Sequence, residues 1–212
     1  VLIQNSLLPA VSAGQVLRGY LPANSSVTVA SGATLDLYGS QNVTLTDLSG
    51  LGTVTNSDTT LPASMVFPAA TPTTFAGTIQ NGGASGLLNL TKSGNSALTF
   101  SGAVALNTLT VSNGTLNTGA TMTVTTAEFS SGTGVVNTGG SSLTIGSQIK
   151  FANNVVANIT GGTLAAIGSN LADNSAVRTL TPTGGTLSWL NNGSFTISPP
   201  TLGPSVVNAT NV

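Results

Sequence analysis

The chain has 212 residues, with four Lys or Arg, five Asp or Glu, and neither His nor Cys. This inventory excludes a disulfide framework, thiolate metal sites and the basic stripe that nucleic-acid binding requires. A net charge of −1 gives little colloidal repulsion, and aromatic residues make up only 4% of the chain. We therefore expect no cofactor and no nucleic-acid partner. The core must be built in thin layers from Val, Leu, Ile and Ala.

The first predicted element is an apolar segment at residues 1 to 8, outside the repeated pattern that follows. Its apolar residues are Val1, Leu2, Ile3, Leu7 and Leu8. An unpaired strand edge invites pairing with another chain unless it is capped. The segment is interpreted either as a cap on the first edge of a stacked sheet or as a strand that pairs with a neighbouring molecule.

Alternating apolar and polar residues run from Ser26 to Leu37, with a bend at Ser31 and Gly32. Successive side chains of a strand point to opposite faces, so the alternation predicts one buried and one wet face. The predicted buried residues are Val27, Val29, Leu35 and Leu37, and the predicted wet residues are Thr28, Thr34 and Asp36.

Similar phrases recur along the chain, at imperfect intervals of roughly 10 and 20 residues. They occupy residues 43–56, 97–102, 108–117, 121–125, 142–146 and 158–168. No run is long and apolar enough for a membrane-spanning helix. The recurrence predicts an all-β solenoid whose turn contains two or three short strands. Residues 61–74 interrupt it with three prolines and are predicted to form an excursion loop.

The amino-acid composition changes after Asp173, where prolines become frequent. We therefore divide the chain into a β-solenoid with an N-terminal strand or cap (1–172) and a C-terminal β segment with a proline-containing tail (173–212). The last residues include Val206, Val207 and Val212 on a semi-rigid tether. They are expected either to fold back as the last strand or to reach into the next subunit.

Several of these phrases together resemble the passenger-associated transport repeat of bacterial autotransporters. They are Thr74–Gly83, Leu90–Gly94, Ala97–Gly102 and Leu109–Leu116, with Val27–Leu37 and Leu48–Asn56 as adjoining turns. The resemblance covers residues 26 to 168. It implies a secreted or surface-exposed right-handed parallel β-helix. It says little about activity, because such repeats form scaffolds.

Side chains capable of catalysis are scarce. Asp36 and Asp47 have outward parity on neighbouring strands and are expected to approach each other, but no basic or His partner accompanies them. We therefore predict that the chain is not an enzyme. An isopeptide bond from Lys92 or Lys150, aided by Glu128, has no motif to support it. Asn-x-Ser/Thr triplets begin at Asn24, Asn42, Asn89, Asn113, Asn158, Asn192 and Asn208, and we interpret the asparagines as amide ladders between successive turns.

These observations favour an extracellular structural protein with a right-handed parallel β-helix and a distinct C-terminal β portion. The predicted partner is the chain itself, in a fibre, sheath or matrix joined by strand addition at the two terminal segments. The alternative is an autotransporter passenger fragment at the cell surface that acts as an adhesin, with cell-surface glycans as partners.

Overall fold

The computed structural model describes residues 10–14, 16–18, 21–68, 70–129, 133–137, 141–151, 155–160, 163–167, 170–173, 178–183, 186–190 and 205–207. These residues form strands, turns and bends, and they contain no helix. Every strand pairing among them is parallel. The predicted parallel β-solenoid is thereby confirmed.

The strands are short and follow one another at each change of direction. In chain order they are β1 (Ala10–Val11), β2 (Val16–Arg18), β3 (Ser25–Val29), β4 (Thr34–Asp36), β5 (Val43–Gly50), β6 (Thr53–Thr55), β7 (Ala63–Phe67), β8 (Thr73–Phe75), β9 (Thr78–Ile79), β10 (Leu88–Lys92), β11 (Ala97–Phe100), β12 (Val104–Val111), β13 (Gly114–Thr118), β14 (Met122–Phe129), β15 (Thr133–Asn137), β16 (Ser142–Phe151), β17 (Val155–Thr160), β18 (Thr163–Ile167), β19 (Asn170–Asp173), β20 (Arg178–Thr183), β21 (Thr186–Leu190) and β22 (Ser205–Val207). Most side-chain hydrogen bonds between neighbouring turns join residues 18 to 23 positions apart. This spacing agrees with the predicted repeat.

Three columns of stacked strands form the faces of the solenoid. Face A contains β1, β3, the second half of β5, β8, β11, β13, β15, β17, β20 and β22. Face B contains β2, β4, β6, β9, the first halves of β12, β14 and β16, then β18 and β21. Face C contains the start of β5, β7, β10, the second halves of β12, β14 and β16, and β19.

The core is a set of apolar rows that run through successive turns inside each face. The row behind face B is in Cα register and at most 3% exposed, and consists of Leu35, Val54, Ile79, Val104, Met122 and Leu143. Full burial of one such side chain contributes about 1.5–3 kcal/mol. Because the side-chain period of a strand is two, each row remains aligned only while the register is kept.

Glycines occupy the tight corner between faces A and B in three consecutive turns, at Gly52, Gly77 and Gly102. A Cβ atom added at Gly77 would lie 2.0 Å from the carbonyl oxygen of Gly52, and one added at Gly102 would lie 2.0 Å from that of Gly77. The Gly52 carbonyl also accepts a 2.9 Å hydrogen bond from the Thr78 N–H in the turn above. Backbone therefore packs directly on backbone at this corner, which we call the glycine corner.

A second inner row behind face A holds large aromatic side chains and then a polar one. Phe75, Phe100 and Thr118 follow one another in Cα register, and all three are buried. Phe100 also packs edge-on against Phe67, with ring centroids 6.4 Å apart. Among the described residues, the Thr118 hydroxyl is a buried polar group without a hydrogen-bond partner.

Thr118→Val is expected to raise the free energy of unfolding by about 1 kcal/mol. Valine has nearly the shape of threonine, and the exchange removes a buried hydroxyl that has lost its hydrogen bonds to water. Urea unfolding followed by circular dichroism measures the change. Thr115→Val, at a half-buried position of the same strand, is the control and is expected to change stability by less than about 0.5 kcal/mol. If Thr118→Val were less stable than the native protein, the Thr118 hydroxyl could not be a buried group without a hydrogen-bond partner.

The predicted excursion loop at residues 61–74 is wrong. It contains all of β7 and the first two residues of β8, and β7 pairs with β10 over five residues. The prolines of this stretch lie at strand ends: Pro62 precedes β7, Pro68 follows it, and Pro72 precedes β8. Proline has no N–H to donate, so the ends of strands tolerate it.

The wet-face prediction for Asp36 is also wrong, because its side chain is only 1% exposed. The alternation ends where the chain bends, since Leu35, Asp36 and Leu37 are all buried. Tyr38 and Gly39 then adopt positive φ angles of 43° and 71°. The bend turns Asp36 towards the interior, while Val27, Val29 and Leu35 are buried as predicted.

Candidate functional site

Each end of the solenoid presents strand edges that have no partner among the described residues. At the N-terminal end these edges belong to β1, β2 and the first residues of β5, one on each face. At the C-terminal end they belong to β22, β21 and β19, again one on each face. An unpaired edge offers a row of N–H and C=O groups to an incoming strand.

Two of the residues predicted for self-association lie on such an edge. Val206 and Val207 are in β22, where they pair with Thr179 and Leu180 of the same chain. Of the two alternatives for the last segment, residues 205–207 thus fold back onto their own solenoid. The other predicted residues, Val1, Leu2, Ile3, Leu7, Leu8 and Val212, lie outside the described residues.

Outward polar side chains on face A, on face C and at the corner between them are bonded to one another. On face A, Thr28 bonds Ser49 at 2.9 Å between their hydroxyl oxygens, and Asn117 Nδ2 donates to Thr99 Oγ1 at 3.2 Å. The amide of Asn107 donates to Asn89 Oδ1 at 3.0 Å. At the corner, the Asn113 amide donates to Asn95 Oδ1. The predicted asparagine ladders are confirmed for these two pairs.

Face B differs, because its outward threonines make no side-chain hydrogen bond within the described part of the chain. Thr34, Thr53 and Thr78 stack in Cα register, and Thr123 stacks beneath Thr144 in the same way. Stacked strands are about 4.8 Å apart, so Thr34, Thr53 and Thr78 form an evenly spaced, uncharged row over three consecutive turns. The Thr123–Thr144 pair lies two residues further along the strands of this face. Their hydrogen-bonding capacity is available to a ligand or to water.

Asp36 and Asp47, which were expected to approach each other, are held apart on different faces. Asp47 lies opposite Ser26 on face A, whereas Asp36 lies opposite Thr55 on face B. The Asp36 carboxylate accepts hydrogen bonds from the Ser57 N–H at 2.9 Å and the Ser57 hydroxyl at 2.5 Å. It also accepts one from the Tyr38 N–H at 3.2 Å. This carboxylate therefore fastens one corner to the next turn, which is a structural task.

Asp58, in the same corner, caps a tight turn. Its Oδ1 accepts the Thr60 N–H at 2.7 Å and the Leu61 N–H at 2.8 Å, together with the Thr60 hydroxyl. The backbone hydrogen bonds favour the ionised form, so they lower the pKa of this carboxyl. Asp58 thus belongs to the turn and does not act as a proton donor near neutral pH.

Lys92 lies inside the solenoid, which the sequence interpretation did not foresee. Its side chain is 2% exposed and occupies an inner row between Phe67 and Val111. The ammonium donates to the carbonyl oxygen of Gly94 and, at 3.2 Å, to that of Asn113 in the next turn. Burial lowers the pKa of Lys92.

The lowered pKa of Lys92 predicts a stability that increases with pH. Between the lowered pKa of the folded state and the ordinary pKa of the unfolded state, the unfolded chain binds the additional proton. The free energy of unfolding therefore rises through that window. Below the window, the full penalty of burying the charge remains.

Urea unfolding from neutral to strongly alkaline pH, for the native chain and for Lys92→Met, measures this dependence. Both proteins contain the same other titratable groups, so the contributions of those groups cancel when the two stabilities are subtracted. The remaining pH dependence belongs to Lys92. A difference that does not change with pH would contradict the prediction.

Two common classes of site are not formed by the part of the chain that the structure describes. It holds no group of three or more His, Cys, Asp or Glu side chains that could bind a metal ion. It also holds no helix with the length and hydropathy needed to cross a membrane. Three features of the described residues are candidates for function: the strand edges, the face B hydroxyls, and the corner at which Lys92 contacts Gly94 and Asn113.

Comparison with known proteins does not place the chain in a family. No protein-family model matches it, and neither a curated protein nor a solved structure matches it. The resemblance of residues 26 to 168 to the passenger-associated transport repeat therefore stays a prediction.

Proposed function

We propose that this chain is an extracellular structural protein, a self-associating β-helical subunit of a surface fibre, sheath or matrix. The observation that supports the proposal most directly is the set of parallel edges without a partner among the described residues, three at each end. Because all strands run in parallel, a second copy stacked end to end continues each ladder in the same direction. This role needs no catalytic side chain, cofactor or metal.

End-to-end stacking joins two different surfaces, so it is a heterologous contact that propagates instead of closing. Each new junction adds backbone hydrogen bonds and extends the apolar rows. The low charge of the chain, with four basic and five acidic residues, offers little repulsion against this addition. A filament is the expected product.

Electron microscopy of the purified chain at high concentration tests the proposal, alongside variants that lack residues 1–8 or 205–212. We expect regular filaments for the intact chain and their loss in at least one truncated chain. Leu51→Ser is the matched control, because Leu51 is 64% exposed on the side of the solenoid, away from both ends. Filaments should survive that substitution.

Two results would overturn end-to-end assembly. One is a dispersed monomer at every concentration. The other is filaments that both truncated chains form normally but that Leu51→Ser abolishes, since lateral contact would then be responsible.

A second proposed function is that of an adhesin at the cell surface, in the manner of an autotransporter passenger, with neutral glycans as partners. The free hydroxyl row on face B favours it, since uncharged hydroxyls suit an uncharged polar ligand. Replacing Thr34, Thr53 and Thr78 together by Val should abolish binding to a glycan array. The same change at Thr28, Thr74 and Thr99 on face A should not, and equal effects would exclude a face B site.

A further inference from the structure

We propose that Asn113 and Gly114 form a self-modification site, at which the Gly114 backbone nitrogen attacks the Asn113 side chain and Lys92 stabilises the attacking group. The product is a succinimide, which water opens to aspartate or isoaspartate. The proposal is independent of the role of the solenoid in assembly.

The Asn113 carboxamide is held over the backbone nitrogen that follows it. Gly114 N lies 3.0 Å from Asn113 Oδ1, and the Asn113 Nδ2 group donates to Asn95 Oδ1 in the turn below. Rotation about the Cβ–Cγ bond leaves Cγ in place and turns the face of its carbonyl group towards Gly114 N. The hydrogen bond from the Gly114 N–H to Asn113 Oδ1 keeps the carboxamide beside the attacking nitrogen, and holding two reactants together in this way removes much of the entropic barrier to reaction.

Space and backbone conformation at this corner both require glycine after Asn113. Gly114 has a φ of +71°, and a Cβ added there would lie 2.3 Å from the Gly94 carbonyl oxygen and 2.8 Å from Lys92 Nζ. With no side chain on residue 114, the nitrogen is open to the asparagine. The sequence Asn-Gly is thus built into the corner by packing.

Lys92 is placed to stabilise the nucleophile. Loss of the Gly114 N–H proton puts negative charge on the amide, and resonance carries most of it to the carbonyl oxygen of Asn113. Lys92 Nζ donates to that same oxygen at 3.2 Å, from an interior position where its charge is poorly screened. A donor aimed at developing oxyanion charge in a dry site lowers the barrier to forming it.

The reaction balances without an oxidant or a cofactor. A base from solvent removes the Gly114 N–H proton, and the nitrogen forms a bond to Asn113 Cγ. Nδ2 then takes a proton back from solvent, and the Cγ–Nδ2 bond breaks to release ammonia. Water then adds to one of the two succinimide carbonyls and opens the ring. The net change is one amide and one water converted to one carboxylic acid and one ammonia.

The chain contains an internal control in Asn81 and Gly82, which share the Asn-Gly sequence but not the geometry. Asn81 Oδ1 accepts the Leu88 N–H at 2.7 Å, and the Gly82 N–H already donates to the Gly86 carbonyl at 2.9 Å. Both reacting groups are therefore engaged elsewhere. The folded structure should protect Asn81 while it activates Asn113.

Peptide mapping by mass spectrometry during incubation of the folded chain in mildly alkaline buffer tests the proposal. We expect Asn113 to convert at least about tenfold faster than Asn81, and Lys92→Met to slow Asn113 by about tenfold or more while Asn81 is unchanged. In strong urea the two sites should react at similar rates. Because the comparison of the two sites uses the native chain, it tests the activation of Asn113 even if Lys92→Met does not fold.

Two results would overturn the proposal. The first is an Asn113 that reacts no faster than Asn81 in the folded chain. The second is a folded Lys92→Met variant in which Asn113 reacts at the native rate, since the lysine would then have no part in the reaction.

Discussion

Gly77→Ala is expected to lower the free energy of unfolding by about 3 kcal/mol, near the upper end of what overpacking usually costs. The new Cβ would lie 2.0 Å from the Gly52 carbonyl oxygen and 2.5 Å from Phe75 Cζ. The first contact is with backbone, which cannot rotate out of the way. Separating the two turns would also stretch the hydrogen bond from the Thr78 N–H to the Gly52 carbonyl.

Gly119→Ala is the matched control for Gly77→Ala, because Gly119 lies in the same corner two turns later. A Cβ there would approach no atom closer than 3.4 Å, which is ordinary van der Waals contact. Its expected effect is within about 0.5 kcal/mol. Equal denaturation midpoints for the two alanine variants in urea would refute the steric account of the glycine corner.

Phe100→Ala is expected to lower the free energy of unfolding by about 3–5 kcal/mol. The ring is fully buried, stacks in register between Phe75 and Thr118, and meets Phe67 edge-on with an interplanar angle of 79°. Removal of the ring leaves a cavity, and the strand ladders above and below it prevent the cavity from collapsing. Because each turn contacts mainly its neighbours, the damage lies in the middle of the stack and affects the turns on both sides.

Thermal and urea unfolding of Phe100→Ala, with Phe100→Leu as the control, measure this effect. Leucine restores most of the lost volume, so its expected loss is below about 1.5 kcal/mol. The prediction would be contradicted if Phe100→Ala were less destabilising than Phe100→Leu, or if both variants lowered the free energy of unfolding by less than about 1 kcal/mol. The ring would then not be a main contributor to core packing.

Alternation in the sequence predicted the strand faces well, because the two-residue period is local. Val27, Val29 and Leu35 are buried as expected, and the recurrence of such phrases identified the stacking of turns. The same alternation places Lys92 on the side of Leu88 and Leu90. It therefore carried the signal that Lys92 lies inside, and the usual preference of charged residues for the surface concealed it.

Predictions at the corners succeeded less well, since a corner depends on neighbouring turns. Asp36 is buried because Ser57, 21 positions later, supplies donors that its own strand does not reveal. Pro62 and Pro68 suggested a loop, yet β7 fits between them. Pairing partners at that distance are set by loop lengths, which composition alone does not determine.

The candidate sites were predictable to different degrees. Terminal strand segments could be proposed from their apolar composition, and Val206 and Val207 do lie in an end strand. The contrast between bonded hydroxyls on face A and free ones on face B was not predictable. It depends on which residue stands above which, as in Ser49 above Thr28 or Thr53 above Thr34.

The glycine corner has a counterpart at the corner between faces B and C, where the length of the connection varies. Residues 56–62 and 80–87 fill that second corner in two successive turns, whereas β12 passes through it as one continuous strand. Faces A and B keep the same spacing across this change, because Phe75 pairs with Phe100 on face A while Ile79 pairs with Val104 on face B. A foreign peptide grafted between β9 and β10 should therefore leave the stacking undisturbed, which makes that loop the natural attachment point for displaying epitopes on the solenoid.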